Sequence, residues 1–418
     1  MDFKEYPSYK NSGVEWLGDV PEHWQQKPIW SLFKRIKRTN FPTERLLSVY
    51  RDYGVIPKDS RDDNHNRASE DLTPYQLVCA NDLVINKMKA WQGSIAISEL
   101  RGIVSPAYYI YQPKAKYHSK YIHFLIRSAY YIQSYKNYSK GIRVNQWDLE
   151  SEAFTHIDLL LPSLDEQQKI VAFLDTETTR IDNLIAKQEK LIELLEEQRK
   201  SIISHAVTKG LNPNAPMKDS GVEWLGEVPE SWVEQKIKFI SKLINEKTSE
   251  KSNVIALENI ESWTGKYIET ESSFESDAVK FKKNDVLFGK LRPYLAKVYL
   301  VENQGEAVGD IYVLRPNKLI HPQFLKFFML SEKFIDYVNS STNGTKMPRA
   351  NWDFIGCIPI FLPHIKVQHE IVEYLESAVL KIELIINKQI SLIEKLEEYR
   401  SSIISHAVTG KIDIREFC

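Results

Sequence analysis

The chain is written twice. Residues 12–24 read SGVEWLGDVPEHW and residues 220–232 read SGVEWLGEVPESW, identical at 11 of 13 positions. Residues 185–208 and 386–409 match at 18 of 24 positions and both end in SIISHAVT. Chance does not produce two such matches, so a duplication governs the fold. Weaker echoes lie between them. Asn81-Asp82-Leu83-Val84 returns as Asn284-Asp285-Val286-Leu287, Lys87 falls on Lys290, Tyr109 on Tyr312 and His118 on His321, all at a shift of 203. Trp147-Asp148 is read as recurring in Trp352-Asp353. Between 25 and 75 the halves share almost nothing. A repeated frame therefore carries two unlike inserts.

From Ser163 to Thr208 no Pro or Gly interrupts the chain, and Ser163-Leu164-Asp165-Glu166 after Pro162 fits a capping box. Gly210 suits a left-handed stop. The second copy begins after Pro363 without that box and stops at Gly410. Each helix holds about 44 residues, about 65 Å at 1.5 Å per residue, and must pack on something equally long. A seven-residue spacing supplies the seam. One row is Leu174, Ile181, Gln188, Leu195 and Ile202, with Leu184 and Leu191 beside it. In the copy the rows are Leu375, Ile382, Gln389, Leu396, Ile403 and Ala378, Ile385, Leu392, Tyr399. The central Gln188 and Gln389 meet in either direction, and closure of two like units around a two-fold axis favours antiparallel. Glu193, Glu196 and Glu197 read as a solvated or partner-facing flank.

At 418 residues the chain has room for two to three domains, and 43% apolar residues supply separate cores. Cys79, Cys357 and Cys418 are far apart with no CxxC pair, against a zinc ribbon or a disulfide framework. No secretory leader or membrane-length apolar run is seen, so the expected place is the cytoplasm, with no membrane partner. Net charge is −1, but it is unevenly spread. Residues 25–160 hold 20 Lys+Arg against 13 Asp+Glu, net +7, and residues 233–361 hold 18 against 16, net +2. A positive block is a possible polyanion footprint.

Within each block short β-like runs (Leu83-Val84-Ile85, Ser94–Ile97, Tyr108–Tyr111) precede a helix over Lys120–Tyr135, with Tyr121, Phe124, Leu125 and Ile132 inward. The copy of that helix starts at Pro322. Each block reads as a small α/β domain, giving an α/β (α+β) chain of two globular domains separated by two long helices in an antiparallel coiled coil, with a pseudo-two-fold repeat. The expected division is 1–160 for the first domain, 161–210 for the first helix, 211–361 for the second domain and 362–418 for the second helix.

Basic residues are interleaved with aromatics. Lys87, Lys89 and Trp91 lie together, and Lys290, Arg292 and Tyr294 take their places in the second block. The run Gly141–Trp147, with Arg143 and Gln146, corresponds to Gly344–Trp352, with Lys346 and Arg349. Lys and Arg suit phosphates, and Arg, Asn and Gln also read base edges. Arg51, Arg61 and Arg67 lie in a loop peculiar to the first block and are candidates for specific readout. The bland alternatives are a solvated loop for these arginines and core packing for Trp147 and Trp352. Catalytic signatures are missing: there is no GxxxxGK[ST] or GxGxxG turn, and no NPPY-like run. His369-Glu370-Ile371-Val372-Glu373 is not an HExxH site. No catalytic and no metal-binding residues are assigned. His205 and His406 in SIISHAVT read as helix-end packing.

Two variable basic blocks, each preceded by SGVEWLGxVP and followed by LPxxxxQxxIVxxL and a SIISHAVT helix, resemble the specificity subunit of type I restriction–modification enzymes over nearly the whole chain. The first copy is LPSLDEQQKIVAFL from Leu161 and the second LPHIKVQHEIVEYL from Leu362. That second copy has Val367 where the first has Glu166. The resemblance implies that each block is a target recognition domain for one half of a split site on double-stranded DNA. It implies that the helices hold the blocks apart and dock two modification subunits. Those partners would bring S-adenosylmethionine, and restriction subunits would add ATP- and Mg-dependent translocation and cleavage. The chain itself would hold no cofactor and catalyse nothing. The other reading of the residues is a coiled-coil scaffold whose two blocks bind protein partners.

Overall fold

The computed structural model describes residues 3–61, 68–141, 147–249, 252–270, 278–342 and 346–417. The chain divides into two compact units, Met1–Lys187 with Ser391–Cys418, and Gln188–Ile390. Each contains a lead-in hairpin, a mixed head and halves of two long helices.

The two heads share one sheet plan. In the first, a four-stranded antiparallel sheet runs in the order Phe33–Ile36, Tyr108–Pro113, Leu83–Asn86, Ile95–Ile97. In the second the order is Ser241–Ile244, Ile311–Pro316, Val286–Gly289, Val298–Leu300. Alternation along the central strands sends Leu83, Ile85 and Tyr111 into the helix-side core and Val84 and Ile110 into a second core under smaller strand pairs. The Asn-Asp echo is a turn. Asn81 and Asn284 adopt left-handed backbone (φ 69° and 71°), and buried Asp82 and Asp285 accept the N–H groups of Cys79 and Lys282 at 2.8 Å. Arg38 and Arg315 close the two carboxylates.

The helix expected over Lys120–Tyr135 is two helices, Ser119–Ile126 and Ala129–Asn137. Ser128 takes extended backbone (φ −68°, ψ 153°), and its hydroxyl bonds the Leu125 carbonyl at 2.8 Å. Ser331 divides Pro322–Leu330 from Glu332–Ser340 in the same way. Tyr121 and Leu125 are buried as expected, and Phe124 and Ile132 are half-buried against the same core.

The long helices run over Leu164–Lys209 and Ile365–Val408, 46 and 44 residues, hence about 69 and 66 Å. Gly210 and Gly410 stop them with φ 76° and 73°. They pair antiparallel in each unit. In the first, Ile181 at the start of one helix packs with Ile403 and Ala407 at the end of the other, and Arg400 reaches Asp182 at 2.8 Å. In the second, Leu195 packs with Ile382 and Ile386, flanked by Ile192 and Ile202. Tyr399 packs on the first unit's core as expected, but around the second unit's contact the row beside the seam lies one residue later than the heptad expectation. Leu191, Ile385 and Leu392 are exposed, while Ile192 and Ile386 pack inward. The 3.6-residue turn drifts against a seven-residue count, so the neighbouring row rotates out of the contact. Gln188 and Gln389 are half-buried, and Leu396 packs against the first unit's core.

Only half of the capping box forms. Ser163 Oγ accepts the Glu166 N–H at 3.2 Å, but the Glu166 carboxylate turns away. It accepts from Tyr6 Oη (2.9 Å) and Trp24 Nε1 (3.1 Å) and lies 3.0 Å from His23 Nε2. Indole and phenol donors buried here need an acceptor, so they outcompete the local cap.

The repeated lead-in is an antiparallel hairpin, Tyr9–Asn11 on Asp19–Pro21 and Met217–Asp219 on Glu227–Pro229. Lys209, ending the first long helix, donates to the carbonyls of Leu225 and Glu227 in the second unit. Lys411, after the second long helix, donates to Leu17 and Asp19 in the first. The opening hairpin thus caps the closing helix, as the internal hairpin caps the helix preceding it.

Candidate nucleic-acid interface

In the second unit the turn after Val286–Gly289 is stitched to the segment before the last strand. Arg292 donates its N–H to Pro348 O and Ala350 donates to Lys290 O, both at 2.8 Å. Lys290 Nζ lies 3.6 Å from Asp310 Oδ1 and 5.3 Å from the Tyr312 ring centroid, and Arg349 Nη2 lies 2.9 Å from Asp310 Oδ2. Burial raises the Tyr312 hydroxyl above its ordinary pKa, so the phenol stays neutral beside these cations. Arg292 has left-handed backbone (φ 49°), a strained state for a residue with a Cβ. Its side chain and that of Tyr294 are exposed. Lys346 and Met347 are exposed on the segment that pairs with this turn.

The first unit builds the same turn with other residues. Lys87 donates its N–H to Ala107 O and accepts from Leu149 at 2.9 Å, and its Nζ lies 3.4 Å from Asp148 Oδ2. Trp91 Nε1 donates to Met88 O, and its ring lies 5.1 Å from that of Trp147. Both rings are half-buried, so Trp147 is part of this surface rather than a core residue; Trp352, also half-buried, packs on Tyr312. Arg51 sits beside Gly93 in the same turn and pairs with Asp52 at 3.2 Å. The Arg61 guanidinium lies 5.0–5.3 Å from the rings of Tyr50 and Tyr53.

The backbone pairing corrects one expected equivalence. Leu149 bonds Lys87 as Ala350 bonds Lys290, so Ser151 stands where Trp352 stands, and Trp147 corresponds to Pro348. The matching of Trp147-Asp148 with Trp352-Asp353 was a chance likeness four residues out of register. In each head a lysine after the central strand faces one carboxylate, Asp148 or Asp310, drawn from different places in the chain. These pairs are partly exposed and hold their cations at a cost of about 1 kcal/mol or less to open, so a phosphate can displace the carboxylate. Lys89, Arg292 and Lys346 have no side-chain partner among the described residues.

Of the residues proposed from the sequence, the structure brings together Lys87, Lys89, Trp91 and Arg51 in the first unit. In the second it joins Lys290, Arg292, Tyr294 and Arg349, with Lys346 alongside. Arg67, Arg143 and Gln146 lie outside the described residues. Arg35 was missed. Its guanidinium stacks 4.2 Å from the Tyr109 ring and bonds Ser151 Oγ at 3.2 Å. The signal was present, since Arg35 lies in the basic run FKRIKR and Tyr109 is an echo of Tyr312. Among the described residues no three His, Cys, Asp or Glu side chains converge as a metal site, and no helix is long and apolar enough to cross a membrane.

Comparison with known proteins fits this architecture. The family model for the type I restriction modification DNA specificity domain matches twice, over residues 21–196 and 229–395. The EcoDI type I restriction enzyme specificity subunit of Escherichia coli is 26% identical over 62% of this chain and 63% of that subunit. The MjaVIII specificity subunit of Methanocaldococcus jannaschii is 26% identical over 95% of this chain and 94% of its own length. Among solved structures, a chain from a study of complex assembly and conformational transition of the type I R-M system covers 93% of this chain at TM-score 0.68 and 12% identity. The HsdS subunit from Thermoanaerobacter tengcongensis covers 96% at TM-score 0.54 and 13% identity. These two share the fold. With the family model matched in both halves, the chain belongs to the type I restriction–modification DNA specificity family.

Proposed function

We propose that this chain is the address-reading subunit of a type I restriction–modification complex. Its two heads each read one half of a split duplex DNA site, and the helix pair sets the unread spacer. The carrying observation is that one frame, with the same sheet order and the same lysine turn, presents two different sets of side chains. The phosphate contacts are Lys87, Lys89, Lys290 and Lys346. The base-reading set is Arg51, Arg61, Arg67, Arg143 and Gln146 in one head and Arg292 and Arg349 in the other, with Trp91 and Tyr294 packing against sugar or base.

The chain is non-catalytic in this reading. S-adenosylmethionine, ATP and Mg belong to the modification and restriction subunits. The long helices dock two modification subunits. The second unit's helix pair supports this, since Leu191, Leu194, Leu380, Leu384 and Ile385 stand exposed on it, more apolar surface than a solvated helix needs. A gel shift with the modification partner at low and raised salt tests the reading. Binding of one duplex class with a steep salt dependence supports it, and salt-insensitive capture of protein alone supports a scaffold instead.

A further inference from the structure

The second head carries a strap across its long helices. It is the loop Glu261–Tyr267, closed by an antiparallel bridge between Ile260 and Tyr267 and by the Glu261 N–H on Lys266 O at 2.9 Å. Its backbone is set by two left-handed residues, Trp263 (φ 65°) and Gly265 (φ 68°). A Cβ on Gly265 would meet Lys326 Cε at 2.5 Å and Val298 O at 2.8 Å, so the loop lies hard against its own head.

The strap reaches both long helices. The Lys200 ammonium of the first helix sits 4.3 Å from the centre of the Trp263 ring. Lys266 Nζ sits 2.8 Å from the carboxylate of Glu383 on the second helix. The strap also reaches the reading surface, because Trp263 donates its N–H to Ala296 O at 3.3 Å. Ala296 closes the turn that holds Arg292 and Tyr294, and it too is left-handed (φ 45°). A continuous chain of contacts thus runs from helix to Trp263 to Ala296 to the exposed Arg292.

The first head is tied to its helices differently. Tyr121 Oη donates to Val408 O at 3.2 Å, and Lys120 pairs with Asp175 at 2.7 Å. At the shift of 203 the second head has Phe324 and Gln323 there, and neither can make the same bond.

We infer that Trp263 and Lys266 are positioning residues that fix the tilt of the second head's reading turn on the helix pair, and so decide which spacer length the complex accepts. This rests on the proposed reading of split DNA sites. The head's own sequence preference resides in other side chains. Loosening the strap therefore broadens the spacer and leaves both half-site sequences unchanged.

The test uses the full complex, expressed with its modification subunits in a host free of adenine methylation, with modified adenines mapped by sequencing. The wild type marks a two-part site of one spacer length. Lys200→Gln with Glu383→Gln changes only helix residues and removes both attachments. It is expected to raise marking of sites one base pair longer or shorter by about tenfold, the combined scale of one cation–π contact and one exposed ion pair. Lys266→Glu loosens the spacer alone, and adding Glu383→Lys restores the single length. Variants that keep the wild-type spacer, or a swapped pair that fails to restore it, overturn the inference and leave the split-site reading intact. A wild type that marks no two-part site overturns that reading and the inference with it.

Discussion

The Gln368 side chain accepts the His321 N–H at 2.8 Å and donates to Pro363 O at 3.0 Å, and Gln167 does the same for His118 and Pro162. One residue in the first turn of each long helix thereby holds the start of a head helix. Both glutamines are buried. Replacing either by leucine strands an N–H and a carbonyl without water, so Gln368→Leu should cost about 2–4 kcal/mol, and Gln167→Leu the same. Urea unfolding of each variant against the wild type measures this.

Glu166 should tolerate change less well than its counterpart Val367 suggests. Glu166→Val leaves the Trp24 indole and Tyr6 hydroxyl without their acceptor, a loss of about 2–3 kcal/mol. Adding Tyr6→Phe and Trp24→Phe removes the orphaned donors, and calorimetry of the triple variant should show part of that loss recovered.

His123 gives the first head an acid weakness. Burial, with Arg127 beside it, pushes its pKa from 6.5 down to about 4. Above pH 6.5 both folded and unfolded forms are neutral and there is no effect. As pH falls from 6.5 towards 4 the unfolded form takes up a proton that the folded form refuses, so stability declines. The decline is complete near pH 4 and worth at most roughly 3 kcal/mol. The stability difference between wild type and His123→Gln should narrow by that order between pH 7.5 and 4.5 in denaturant titrations.

At the reading turn, Arg292→Gly separates binding from folding. Glycine relieves the left-handed backbone, so the melting temperature should hold or rise. Affinity of the complex for its DNA should drop about tenfold or more, with discrimination lost in the second half-site. Lys89→Ala should weaken binding to all sequences and lower the salt slope by about 0.9. Equilibrium binding across a salt series distinguishes the two.

Much of this architecture was legible in the chain. Gly210 and Gly410, the unbroken runs before them and the Leu174–Ile181–Leu195 spacing sufficed to give two long helices and their seam. The Lys87/Lys290 equivalence held because a turn after a central strand is fixed by backbone pairing. The registers between variable segments were not legible. Trp147 and Trp352 look alike locally, and only the bonds from Leu149 and Ala350 show them to be unrelated. Asp310 escaped notice because its counterpart is Ala107, so no repeat marked it. Ser128 and Ser331, which each split a helix, do so through hydroxyl bonds to a carbonyl three residues earlier, a choice that apolar periodicity does not record.

The account stands on each head reading its own half of the site. Residues 25–160 should be exchanged for the matching block of another specificity subunit, and modified adenines mapped in the host genome. The prediction is a new sequence in one half, with the other half and the spacer unchanged. Alteration of both halves together, or an unaltered site, would contradict it.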